Sequence, residues 1–72
     1  MNRTVERPTA YAELRAWVNS DANPPADSDG DIVQAHNGLR FCRCDDGGIW
    51  LEDHETDGRP VTLAEAKALI MR

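Results

Sequence analysis

The sequence predicts a single small α+β domain in the order α-β-β-β-α, with a three-stranded antiparallel sheet packed by two helices. This prediction depends on an apolar stripe near the amino terminus, on tight turns in the middle of the chain and on a helix cap near its end. The whole chain, 1–72, is expected to form one domain. A domain of this length removes only about 60% of its unfolded surface from water, so its stability should be modest.

The first helix is predicted over residues 9–19, with Thr9 as its N-cap. Its stripe has the spacing of one helical face and consists of Tyr11, Leu14, Trp17 and Val18. Residues 1–8 are expected to form a flexible amino terminus. Residues 20–30 contain two prolines and no apolar residue larger than alanine, which predicts an exposed acidic loop.

Two turns locate the three strands. Asn37-Gly38 has the composition of a two-residue type I′ hairpin turn, and residues 45–48, Asp-Asp-Gly-Gly, supply a second reversal. The strands are then residues 31–36, 39–44 and 49–54. Because side chains alternate along a strand, a one-residue slip in either turn would exchange the faces of the sheet.

Symmetric turns would give the sheet one smooth face and one mixed face. The smooth face, suited to cover by a helix, consists of Val33, Ala35, Cys42, Cys44, Ile49 and Leu51. The mixed face consists of Ile32, Gln34, His36, Leu39, Phe41, Arg43, Trp50, Glu52 and His54. Two arrangements remain open: both helices share the smooth face, or each face receives one helix.

The last helix begins at a capping box formed by Thr62 and Glu65. In this motif the threonine hydroxyl accepts a hydrogen bond from the amide of Glu65, and the Glu65 carboxylate accepts one from the amide of Thr62. The apolar stripe of this helix consists of Leu63, Ala66, Leu69 and Ile70.

The mixed face provides the candidate binding residues, because tryptophan and arginine are enriched at the centres of protein interfaces. These interface candidates are Phe41, Arg43, Trp50, Glu52, His36 and His54. Two structural alternatives stay open. The two aromatic residues could instead be core beneath the first helix, and Arg43 beside Trp50 could form a cross-strand cation–π pair.

No metal site or cofactor is expected. Cys42, Cys44, His36 and His54 are the residue types of a zinc site, but the predicted register places the thiols and imidazoles on opposite faces. We therefore expect reduced, buried thiols and no stoichiometric zinc. Residues 27–32 have the pattern of the middle of a calcium loop, yet the ends of that loop carry no carboxylate. An acidic solubilising loop is the preferred interpretation.

Charge narrows the class of partner. The net charge of −5 and pI of about 4.7 oppose contact with a nucleic-acid backbone or an anionic membrane and favour a basic protein partner. No apolar stretch reaches the ~20 residues that span a bilayer, and the amino terminus has no apolar signal region, so a cytoplasmic location is expected. No spacing identifies a nucleophile with its base, and we expect no catalytic site and no enzyme activity.

The order helix, three strands, helix resembles the topology of the double-stranded RNA-binding domain. The binding surface of that family implies a lysine cluster at the start of the last helix. Here that stretch, residues 62–67, reads Thr-Leu-Ala-Glu-Ala-Lys, with Lys67 as its only base. The segment from Gly38 to Ile70, with its Trp strand and Thr-x-x-Glu-Ala helix, is similar to the three-stranded DNA-binding heads of phage-type integrases. These resemblances imply nucleic-acid binding as the alternative function.

The function that the sequence favours is a small acidic protein-binding module. Such a module could be a regulator or inhibitor of the type that phages and mobile elements encode. The partner would contact either the face that carries Trp50 or the acidic loop over residues 20–30.

Overall fold

The computed structural model describes residues 9–20, 23–52 and 57–72. In this part of the chain, one antiparallel sheet is ordered β1-β2-β3-β4-β5 and is preceded and followed by a helix. The elements are α1 (Ala10–Val18), β1 (Ala26–Asp29), β2 (Ile32–Ala35), β3 (Arg40–Arg43), β4 (Ile49–Glu52), β5 (Arg59–Val61) and α2 (Leu63–Ile70). The α+β class is confirmed. The predicted three-stranded sheet and the order α-β-β-β-α are wrong.

The two additional strands lie at the edges of the sheet. β1 occupies part of the predicted acidic loop, 20–30, where it pairs with β2 through Asp29 and Ile32. β5 contains Pro60, which a sheet tolerates at an edge because the missing N–H is not needed by a further strand. Both strands are short and have little apolar alternation, so their pairing depends on the neighbouring strand. The expectation for residues 1–8 and the predicted end of the β4 strand at His54 lie outside the described residues.

Both hairpin loops around β3 have the same three-residue form. Residues 36–38 connect β2 to β3, and the amide of Ala35 donates to the Leu39 carbonyl at 2.8 Å. Residues 45–47 repeat this geometry between β3 and β4, where the amide of Cys44 donates to the Gly48 carbonyl at 2.9 Å. The third residue of each loop is a glycine with positive φ, 91° at Gly38 and 86° at Gly47. This is the pattern of a turn closed by a left-handed residue.

These loops shift the register of β3 by one residue from the prediction on both sides. Val33 pairs with Phe41 rather than Cys42, and Phe41 in turn pairs with Leu51. A shift of one residue reverses every side chain of a strand. The faces predicted for β2 and β4 therefore stand, but those predicted for β3 are wrong.

Both helices pack on the same face of the sheet. The core there is formed by residues from α1, the strands and α2, namely Tyr11, Leu14, Val18, Val33, Ala35, Phe41, Ile49, Leu51, Val61, Ala66 and Ile70. Phe41 is fully buried, at 0% exposure, and takes the place that the prediction gave to Cys42. Cys42 and Cys44 are free and half-buried rather than part of the core.

Side-chain caps begin both helices. Thr9 Oγ1 accepts from the amide of Ala12 at 3.0 Å, as predicted. Thr62 Oγ1 accepts from the amide of Glu65 at 3.0 Å, which confirms half of the capping box. The return bond does not form, because Glu65 Oε2 instead lies 2.6 Å from Arg59 Nη1 on β5.

Candidate protein-binding face

The side of the sheet opposite the helices, which we call the open face, has one apolar row and one polar row. Because the register is continuous across the strands, each row is given directly by the strand pairing. The first row consists of Asp29, Ile32, Cys42, Trp50 and Pro60. The second consists of Asp27, Gln34, Arg40 and Glu52. A central apolar stripe bordered by polar side chains is the composition of an interface centre with its rim.

Trp50 lies on the open face and does not belong to the helix-covered core. Its indole is held against the turn before β5. A Cβ atom placed on Gly58 would lie 2.6 Å from Trp50 Nε1 and 2.7 Å from the Leu51 carbonyl oxygen. The close approach of this glycine explains why the indole is half-buried although no helix covers it.

Glu52 connects the two rows. Its Oε2 lies 3.3 Å from Arg40 Nε, and the side chains of both residues are 47% exposed. Its Oε1 accepts from Cys42 Sγ at 3.1 Å. Burial, followed by the hydrogen bond and the negative charge of Glu52, raises the pKa of the Cys42 thiol. The carboxylate therefore contacts two side chains of the open face and, together with burial, favours the protonated form of the thiol.

The acidic charge of the open face is concentrated on its β1 edge. Asp27 and Asp29 both project to this face and are exposed. Within the described residues, the ion pairs with side-chain carboxylates involve Asp31, Glu52 and Glu65. The β1 edge therefore presents two carboxylates that have no cationic partner in that part of the chain.

The structure brings only some of the predicted interface residues together. Trp50 and Glu52 share the open face. Phe41 is core, which corrects its prediction as an interface residue, and Arg43 lies on the helix side of the sheet. The Nε of Arg43 donates to Asp31 Oδ1 at 3.0 Å, so it forms no cation–π pair with Trp50.

The two histidines contribute little to this surface. His36 is exposed in the loop before β3 rather than on a strand. His54 lies outside the described residues. Arg40, Asp27 and Asp29 were not predicted as members of this surface, because the β3 residues were assigned to the wrong face and β1 was interpreted as a loop.

The structure also corrects the predicted placement of the zinc-type ligands. Cys42 lies on the open face with Trp50, not on the face assigned to it. His36 lies in the loop before β3 and His54 outside the described residues, so the structure does not support the argument from opposite faces. In the described ranges, no group of three or more His, Cys, Asp or Glu side chains is placed to hold a metal ion. The calcium-like run over residues 27–32 forms the β1–β2 hairpin.

Within the described residues, neither helix is long and apolar enough to cross a bilayer. The sequence matches no protein-family profile, and neither a curated protein nor a solved structure is significantly similar to it.

Proposed function

We propose that this chain is a protein-binding module that contacts a basic partner through the open face. The observation that supports this proposal is the apolar row across four strands, centred on Cys42 and Trp50, on a side that neither helix covers. Tryptophan is among the residues that contribute most to interface affinity, since it combines a large apolar area with a hydrogen-bond donor.

Charge supports a basic partner. Asp27 and Asp29 border the apolar row, whereas the one cation of the described open face, Arg40, is already paired with Glu52. A partner that presents lysine or arginine beside an apolar residue would match both features. Complementary charge at the rim chiefly raises the association rate and selects the partner.

The proposal can be tested with a displayed library of short peptides. Peptides selected by the purified protein should be cationic and contain at least one large apolar residue. With a selected peptide, amide resonances of the ¹⁵N-labelled protein should shift at Ile32, Cys42 and Trp50. Trp50→Ala should weaken binding by at least about fivefold, as expected for a central aromatic anchor.

Matched variants separate charge from position. Asp27→Asn with Asp29→Asn should weaken peptide binding and reduce its dependence on salt. The control, Glu13→Gln with Asp45→Asn, changes the net charge equally at exposed positions away from the open face. Equal binding by the two double variants, or shifts confined to the helix side, would contradict the proposal. Tight, salt-sensitive binding of duplex RNA or DNA would instead support the nucleic-acid alternative.

A further inference from the structure

A shallow cleft on the helix side of the sheet brings two arginines to one site. It has a volume of about 450 Å³ and lies between the start of α1, the β1–β2 turn and the end of β3. Its lining consists of Thr9, Tyr11, Ala12, Arg15, Gly30, Asp31 and Arg43. None of these residues belongs to the open face, so a ligand of the cleft is independent of the proposed function.

The wall of the cleft is built by contacts of Arg43 and Tyr11 with the β1–β2 turn. Arg43 Nε donates to Asp31 Oδ1 at 3.0 Å, and the Arg43 amide donates to the Asp31 carbonyl at 2.9 Å. Tyr11 donates its hydroxyl to the Gly30 carbonyl at 3.0 Å. The Arg43 guanidinium is thus oriented through one of its five N–H groups, and its terminal amino groups are available to a ligand.

Arg15 adds a second guanidinium. It is exposed, lies one helical turn after Tyr11 and forms no ion pair with another described residue. Both arginines are close enough to the Tyr11 phenol to act on it. Burial of the phenol raises the pKa of Tyr11, while Arg15 opposes this rise and Asp31 adds to it more strongly than Arg43 opposes it. Two guanidinium groups against the one carboxylate of Asp31 leave the lining of the cleft net positive on a chain whose net charge is −5.

The backbone amides at the start of α1 do not contribute to this site. The amide of Tyr11 donates to the Gly47 carbonyl at 3.0 Å, and that of Ala12 donates to Thr9 Oγ1 at 3.0 Å. These two amides are therefore already occupied, and the side chains supply the charged donors of the cleft. Guanidinium groups present planar forks of donors that suit carboxylate and phosphate oxygens.

We propose that this cleft binds a small oxyanion, either a carboxylate or a phosphate group, through Arg15 and Arg43. Tyr11 and Gly30, which are hydrogen-bonded to each other, line the cleft beside the two arginines. Asp31 orients Arg43, and its negative charge lowers the net positive charge of the cleft.

The test is a titration of the ¹⁵N-labelled protein with sodium phosphate and, separately, with sodium malonate, each at constant ionic strength. We expect at least one anion to give saturable shifts at Tyr11, Ala12 and Asp31. A response to phosphate alone or to malonate alone identifies which source of oxyanion the cleft accepts. Shifts that stay linear for both anions would overturn the proposal.

Three variants assign the response to the cleft. Arg15→Gln and Arg43→Gln should each weaken binding at least about fivefold. Arg40→Gln is the matched control, because Arg40 also pairs with a carboxylate but lies on the open face. Arg15 forms no described ion pair, so its variant tests the proposal even if Arg43→Gln perturbs the fold. Unchanged affinity in Arg15→Gln, or an equal loss in Arg40→Gln, would show that the cleft is not the site.

Discussion

Two aromatic residues on neighbouring strands differ in what surrounds them. Phe41 is fully buried in the core on the helix side of the sheet, whereas Trp50 lies on the open face against Gly58. The two aromatic side chains are chemically similar, but one belongs to the core and the other to the open face. The buried ring of Phe41 belongs to the core, whereas the exposed part of Trp50 faces solvent on the open face.

The first prediction compares these two aromatics. Phe41→Ala should lower the free energy of unfolding by about 3–5 kcal/mol, because it removes a fully buried ring and leaves a cavity. Trp50→Ala should cost clearly less and preserve the circular dichroism spectrum. Urea unfolding of the two variants provides the measurement. Greater destabilisation by Trp50→Ala would mean that this indole, too, is structural.

The second prediction concerns the Cys42 thiol. Because its pKa is raised, less thiolate is present at a given pH, and alkylation by iodoacetamide should be slower than for an ordinary thiol. Glu52→Gln removes the carboxylate that favours the protonated form, so it should lower this pKa and accelerate alkylation between about pH 8 and 9.

Mass spectrometry of protein carrying Cys44→Ser follows Cys42 alone. Glu65→Gln is the matched control, since it removes the same charge from α2, on the other side of the sheet. An unchanged rate in Glu52→Gln would show that the hydrogen bond from Cys42 does not control the thiol.

At the scale of elements, the hairpin loops determine which side chains reach the core. Each loop places a side-chain acceptor two residues before an amide. Asn37 Oδ1 accepts from Leu39 at 3.2 Å, and Asp46 Oδ1 accepts from Gly48 at 2.9 Å. Each then closes with a glycine of positive φ. This repeated chemistry fixes the register of β3 at both ends.

The third prediction uses the two loop glycines as a matched pair. In Gly38→Ala the added Cβ meets no atom within 4 Å. The variant should therefore lose about 1–2 kcal/mol in the free energy of unfolding, mainly because alanine disfavours the left-handed backbone. Alanine at Gly47 has the same backbone cost, and its Cβ would also lie 2.5 Å from Thr9 Cγ2. Because Thr9 caps α1, Gly47→Ala should be the more destabilising of the two in urea unfolding. Equal costs would mean that the Thr9 side chain moves aside without loss of the cap.

At the scale of the whole molecule, the two helices of the described chain cover one side of a five-stranded sheet whose edge strands are β1 and β5. The β5 edge contains Pro60, and the β1 edge carries Asp27 and Asp29. Proline and repeated charge are the devices by which sheet proteins prevent edge-to-edge pairing. The net charge of −5 acts in the same direction.

The fourth prediction concerns these edges. The wild-type protein should sediment as a monomer over an about hundredfold range of concentration. Asp27→Asn with Asp29→Asn should increase self-association, because it removes like-charge repulsion along β1. The double variant Glu13→Gln with Asp45→Asn, whose changes lie away from the β1 edge, should not increase self-association. Equal association of both double variants would show that net charge, not the edge, prevents pairing.

The local sequence was sufficient for those features that depend on near neighbours. Three predicted features depend on side chains within a few positions of one another. They are the α1 stripe, the two N-cap threonines and the presence of two turns around β3. It was insufficient for β1 and β5, because polar residues at positions 26–29 and a proline at position 60 do not favour strands on their own. Pairing with β2 and β4 overrides these weak preferences.

The sequence by itself therefore determined the α+β class, the helix starts and the acidic charge of this protein. The tertiary structure alone decided that Phe41 is core, that Cys42 and Trp50 share the open face, and that Arg43 faces the α1 cleft. The physical reason is the length of two loops. The loop after β2 has three residues where two are predicted, and the loop after β3 has three where four are predicted. A change of one residue in a loop directs every side chain of the adjoining strand to the opposite face. Packing selects the three-residue loops, because they bury Phe41 and leave the arginines and the thiol exposed or half-buried.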